Sequence, residues 1–187
     1  MKRTRIFRYC LSMLLTTAIA LLAVSCHSHR AIITGPDGSG KGGMTVDKKW
    51  SSLDITLDRH DNKRLYREIK SWLGAPYLYG GRSRKGTDCS GFVMEIYKKV
   101  YHIDIERNSA KIFEENCKRI RLSQLREGDL VFFNTSNDPN RGINHVAIYL
   151  KENKIAHATS SRGVIISDMR QKFWTQHCLF GGRVTTH

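Results

Sequence analysis

Apolar positions along this chain change their period twice. An unbroken run of apolar and small residues, Leu11 to Val24, comes first. Further on, Leu65, Ile69, Trp72 and Leu73 recur at three- and four-residue intervals, which predicts a helix over 61–73. Gly74 ends it, and Pro76 prevents its resumption. Phe92, Val93, Ile96, Tyr97 and Val100 share a second helical face, with Glu95, Lys98 and Lys99 turned away. A third helix is expected over 109–117, capped by Asn108 or Ser109. Beyond it the period shortens. REGDLVFFN (Arg126–Asn134) reads as a turn followed by a buried strand. Ile143–Leu150, IAHAT, Gly163–Ser167 and CLFGGRV supply further strands, separated by polar turns such as KENK. Helices come first and strands later, with short connections. That order predicts an α+β fold in which N-terminal helices pack on an antiparallel meander sheet.

The first apolar run changes meaning once its flanks are read. Lys2, Arg3, Arg5 and Arg8 precede it without any acid, and it is shorter than the ~20 residues that span a bilayer. This is the order of a secretory signal over 1–25. It ends in AVSC, where small residues precede Cys26, and this resembles the lipobox of bacterial lipoproteins, with Ala23 where leucine is usual. The resemblance implies lipidation at Cys26 and anchoring to a membrane; two acyl chains anchor stably where one does not. Residues 26–58 then carry the lipidated cysteine and a flexible tether containing GPDGSGKGG. That segment is not a phosphate loop, because Gly42 stands where a serine or threonine would follow Lys41. The rest, about 130 residues, suits one domain with one core.

Charge and cysteines narrow the partners. Loss of the signal lowers the formal net charge from +14 to +10. An exported basic chain is expected to meet an anionic envelope polymer or lipid rather than nucleic acid. Cys89, Cys117 and Cys178 remain. In an oxidising compartment Cys117 and Cys178 are either a disulfide or two small buried residues.

Cys89 begins a helix in GTDCSGFV. A helix N-terminus offers unpaired N–H groups and a partial positive charge, which favour a thiolate and can hold an oxyanion beside it. Gly91 permits another segment to approach closely. The place suits a nucleophile, and it equally suits a small residue filling a helix–sheet contact. A nucleophile needs a base. His145 and His157 sit on successive strands, and a register centred on Lys151 puts them opposite each other; an even slip makes them diagonal neighbours. One ring would take the thiol proton and the other would fix its tautomer. Zinc held by one cysteine and two histidines is the rival, but no close ligand pair such as H-x-x-x-H or C-x-x-C occurs, so neither metal nor cofactor is expected. The other histidines read as surface residues.

The segments PYLYGGRSRKGTDCSGFV, LREGDLVFF, HVAIYL and IAHATSSRGVIIS together resemble the NlpC/P60 family of bacterial cell-wall cysteine peptidases, and most closely its small lipoprotein endopeptidases. The likeness runs from Asp61 to Val184. It implies a papain-like fold and a catalytic domain over 59–187. It also implies Cys89 as nucleophile, His145 as base, His157 as the orienting third residue and Tyr77 beside the oxyanion. Asp88 and Ser90 match positions lining the family's substrate site; each is equally suited to capping the helix. The implied activity is hydrolysis of peptidoglycan stem peptides or crosslinks by a monomer anchored in the bacterial cell envelope. An amidase or acyltransferase with the same thiol chemistry, or a non-catalytic envelope-binding module, are the other readings this fold admits.

Overall fold

The computed structural model describes residues 55–185. The expected signal over 1–25, the lipidation site at Cys26 and the tether as far as residue 54 lie outside the described residues, as do His27, His29 and His187.

Helix α1 spans Lys63–Trp72. It starts two residues later than apolar spacing predicts because Asn62 is its cap: the Asn62 side-chain oxygen accepts from the Arg64 and Leu65 N–H groups, each at 3.1 Å. Leu65, Tyr66, Ile69 and Trp72 are buried, and Gly74 takes the left-handed φ of +84° that ends the helix. A small antiparallel hairpin follows, β1 (Arg82–Ser83) with β2 (Gly86–Thr87), and leads directly into α2 (Cys89–Tyr101). The expected stripe from Phe92 to Val100 is the buried face of α2. Helix α3 (Ser109–Asn116) is capped by Asn108, whose side chain accepts from Ala110 and Lys111.

Six strands form one antiparallel sheet: β3 (Cys117–Ile120), β4 (Leu130–Phe133), β5 (His145–Tyr149), β6 (Lys154–Thr159), β7 (Gly163–Asp168) and β8 (Cys178–Val184). Their spatial order is β3-β8-β4-β5-β6-β7. Strands β4 to β7 make the expected meander. The last strand does not extend it; β8 returns across the sheet to lie between β3 and β4. Two elements escape periodicity. β3 is a short edge strand carrying exposed Lys118 and Arg119, and α4 (Lys172–His177) is under two turns long.

The sheet is buried on both faces, which is why LVFF in β4 reads as a continuous apolar run. On one face Leu130, Phe132, Val146 and Ile148 join the apolar stripes of α1 and α2. On the other, Val131, Phe133, Ala147 and Ile155 pack under Trp174 of α4. All three described cysteines are free. Cys117 pairs with Val184 at one end of β8, whereas Cys178 begins that strand. Six residues of strand are about 20 Å, too far for a bridge, so the disulfide does not form and both are partly buried small residues.

Candidate active site

The head of α2 is held by a clamp built around Asp88. Its Oδ1 accepts from the Gly91 N–H at 2.8 Å and from the Ser90 hydroxyl at 3.3 Å; its Oδ2 accepts from the Gly80 N–H at 2.7 Å. Arg107 donates to the same Oδ2 at 2.7 Å, to Ser90 Oγ at 2.7 Å and to the Gly81 carbonyl at 3.1 Å. Burial pushes the Asp88 carboxyl up, but Arg107 and the two N–H groups outweigh it and hold the carboxyl below its ordinary range. Asp88 and Ser90 therefore both cap and clamp, and every bond named here serves the helix and its loop. Sequence reasoning missed Arg107, which lies in a non-periodic connection with no spacing signal. Gly91 has the expected purpose: a Cβ there would lie 2.2 Å from the Gly81 carbonyl oxygen, so only glycine admits that loop.

Cys89, the first residue of α2, is partly exposed and lines an open cleft of about 730 Å³. Tyr77, Asp88, Ser90 and Arg107 line it too, facing Ile143 and Asn144 from the loop before β5. The N–H groups of Val146, of Ser90 and of Cys89 itself each pull the Cys89 thiol downwards. These donors favour a thiolate, as the helix position predicts. The outcome is nevertheless the reverse of that expectation. Burial, with the Asp88 charge added, pushes the thiol above its ordinary value. A helix terminus contributes only about 0.3–1 kcal/mol in ordinary settings, and the desolvation of this partly enclosed thiol outweighs it. Tyr77 is half-buried, and burial raises its phenol, so its hydroxyl stays a proton donor.

The two histidines meet, by a register different from the one centred on Lys151. Ile148 faces Ala156 and Tyr149 faces Ile155, a slip of two residues that keeps parity and makes His145 and His157 diagonal neighbours. His145 Nε2 lies 3.0 Å from His157 Nδ1, with the rings nearly perpendicular. Trp174 closes this face, stacked on His145 at 5.8 Å and edge-on to His157 at 4.6 Å. It sits on a helix too short for periodicity to reveal. Burial lowers His145 to about 4 and pushes His157 well below the ordinary range, where His145 and Arg162 lower it further. At neutral pH both rings are uncharged.

Cys89 and the histidine pair flank β5: α2 packs on the face that carries Val146, and His145 and His157 lie with Trp174 on the other. The β5–β6 ladder covers only Ile148 and Tyr149 on β5. Beyond it lies Val146, whose N–H helps lower the Cys89 thiol, one residue along from His145. Neither histidine lines the cleft, and among the described residues no hydrogen bond joins the Cys89 thiol to either ring. Also among the described residues, no group of three or more His, Cys, Asp or Glu is placed to hold a metal ion. The arrangement offers a neutral thiol, nearby main-chain donors and a neutral imidazole pair.

Comparison with known proteins agrees with this architecture. Residues 74–183 match the NlpC/P60 family. The Escherichia coli protein named Murein DD-endopeptidase MepS/Murein LD-carboxypeptidase is 32% identical, with 92% of each chain covered. A Haemophilus influenzae protein named Probable endopeptidase is 38% identical over 60% of this chain and 68% of its own length. Among solved structures, an NLP/P60 family lipoprotein-like protein of Staphylococcus aureus superposes with a TM-score of 0.60 at 28% identity, covering 70% of this chain and 43% of that one. Helices against an antiparallel sheet, in the papain-like arrangement of those neighbours, with a cysteine heading the central helix, place the chain by both sequence and structure: it belongs to the NlpC/P60 family.

Proposed function

We propose that this protein is a peptidoglycan endopeptidase that cleaves peptide bonds of stem peptides or crosslinks by thiol chemistry, with Cys89 as nucleophile, His145 as base and His157 orienting His145. The observation that carries this reading lies on β5: the Val146 N–H favours the thiolate of the cleft-lining Cys89 at the helix head, and the adjacent strand residue, His145, is one of a hydrogen-bonded imidazole pair. The relatives named as murein endopeptidases support the substrate class.

Burial raises the Cys89 thiol and lowers both imidazoles, which favours a reaction that begins with proton transfer from thiol to ring. As the scissile carbonyl enters the cleft, His145 takes the Cys89 proton and the sulfur attacks the carbonyl carbon. Catalytic hydrogen bonds often tighten only with substrate, and this mechanism requires the thiol–imidazole bond to form in that way. The Cys89 N–H and the Tyr77 hydroxyl hold the oxyanion. His145, now imidazolium, gives its proton to the leaving amine, and the C–N bond breaks to leave a thioester. Water then attacks the thioester carbonyl while His145 accepts its proton; the carboxylic acid departs and the thiol is restored. The domain over 59–187 performs this chemistry, as a monomer, held at the bacterial envelope by the lipid on Cys26 after removal of residues 1–25.

Purified protein and its Cys89→Ala variant, incubated with defined muropeptides and followed by mass spectrometry, test the reading. New amino and carboxyl ends within stem peptides, from the wild type only, are expected. Cleavage of the sugar–lactyl amide instead would reassign it as an amidase. Equal binding by both proteins without turnover would make it an envelope-binding module.

A further inference from the structure

The hydrogen-bonded line does not stop at His157. Its Nε2 lies 2.9 Å from the hydroxyl of Ser167 on β7, a side chain that is itself buried. In the β6–β7 ladder Ile155 faces Ser167 and His157 faces Ile165, so Ser167 is the diagonal neighbour of His157, just as His157 is of His145. Three adjacent strands thus carry one polar line across an otherwise apolar face, under Trp174. We propose that Ser167 is a positioning residue: by accepting the Nε2–H of His157 it keeps that ring in the tautomer that leaves Nδ1 of His145 open to the thiol proton. The inference rests on the Cys89–His145 reading of the site.

The chain of reasoning is one of proton placement. His145 Nε2 is engaged with His157, so Nδ1 is the nitrogen left to take a proton from Cys89. For Nδ1 to be empty, the His145 proton sits on Nε2 and is donated to His157 Nδ1. His157 Nδ1 is then an acceptor, so its own proton sits on Nε2, and a buried N–H needs a partner. Ser167 Oγ is that partner. The demand is strictest after proton transfer, when the His145 ring carries protons on both nitrogens and His157 must accept. With Ser167 removed, an Nε2–H on His157 would be orphaned at the desolvation cost of a buried donor. The ring escapes that cost by moving its proton to Nδ1. His145 Nε2 then becomes the acceptor, its proton shifts to Nδ1, and the base is blocked.

The test uses the full chain, comparing wild type with Ser167→Ala and Ser167→Thr. Nitrogen-15 NMR of the histidine rings near pH 7 reads the tautomers directly. Wild type and Ser167→Thr are expected to carry the His157 proton on Nε2, and Ser167→Ala on Nδ1. On muropeptides, Ser167→Ala is expected to lower kcat about tenfold to a hundredfold with KM within about twofold, and Ser167→Thr to restore most of it. The proposal is overturned if wild-type His157 carries its proton on Nδ1, if Ser167→Ala leaves tautomer and kcat unchanged, or if Ser167→Thr loses as much as Ser167→Ala. Should Ser167→Ala not fold, the tautomers of wild type and Ser167→Thr still decide it. Absence of murein turnover by the wild type would remove the proposed function, while the tautomer measurement would stand by itself.

Discussion

His145 Nε2 and His157 Nδ1 lie 3.0 Å apart, and this contact leaves Nδ1 as the His145 nitrogen outside the pair. It also divides the work between the rings. In the proposed mechanism His145 exchanges protons with substrate and thiol, and His157 holds it in place. Removing the first should therefore be far more damaging than removing the second. His145→Ala is expected to lower kcat/KM on muropeptides by at least about 10³-fold. His157→Asn, which keeps a polar group near that position, is expected to lose about 10–100-fold. Steady-state kinetics of the two variants check this, and equal losses would contradict the division.

Cys89→Ala is expected to abolish turnover while leaving the fold intact. The side chain is small and partly exposed, so the cavity left behind is slight. The melting temperature should move by no more than about 4 °C, a ΔΔG of about 1 kcal/mol. Thermal melts beside a muropeptide assay measure both. A large fall in melting temperature would instead mark Cys89 as a packing residue.

Acid should unfold this protein through its buried histidines. His145 titrates at about 4 in the folded state, against an ordinary value near 6.5. Between those values the unfolded chain binds more protons, so stability rises with pH there and is lost as pH falls from about 6.5 towards 4. The shift corresponds to about 3 kcal/mol, and His157 adds in the same direction. Urea unfolding at pH 7, 5.5 and 4.5 should show the loss, and His145→Gln should flatten it. For the same reason the acid limb of kcat/KM should lie below the ordinary histidine value.

Arg107→Ala should destabilise the protein by about 2–3 kcal/mol. It leaves Asp88, a carboxylate only 8% exposed, without its cation, and leaves Ser90 Oγ without a donor. Denaturant titration gives the magnitude. A loss under about 0.5 kcal/mol would show that solvent replaces the guanidinium.

Gly91→Ala tests the close approach of loop and helix. The added methyl meets main chain, the Gly81 carbonyl at 2.2 Å, rather than a side chain that can move. A loss of about 1–3 kcal/mol is expected, together with weaker turnover because Cys89 sits two residues away. Unfolding curves and activity measured on the same preparation should fall together.

Much of this was legible in the sequence because it is local. The helical stripe from Phe92 to Val100 and the strands around both histidines follow from periodicity, and the partial match of parity brought His145 and His157 to one face. What was not legible is non-local or too short. Register between strands is set by packing, so the slip of two at Ile148 and Ala156 could not be chosen beforehand. Arg107 acts through a loop and Trp174 through a six-residue helix, and neither leaves a periodic trace. Ser167 lay in a predicted strand, and parity alone would have placed it on the histidine face once the β6–β7 register was known. The direction of the thiol's shift is not legible either, because a sequence displays the helix head but not how far its surroundings exclude water.

The strand reached last in the chain, β8, fills the gap between β3 and β4. A nascent chain that has made both histidines but not yet Cys178–Val184 leaves β3 and β4 without their shared neighbour, with two bare ladder edges and no way to join them. Completion waits on a contact between distant parts of the chain, which is slow to form. Until that segment emerges the six-stranded sheet stays in two pieces, with β3 held apart from β4.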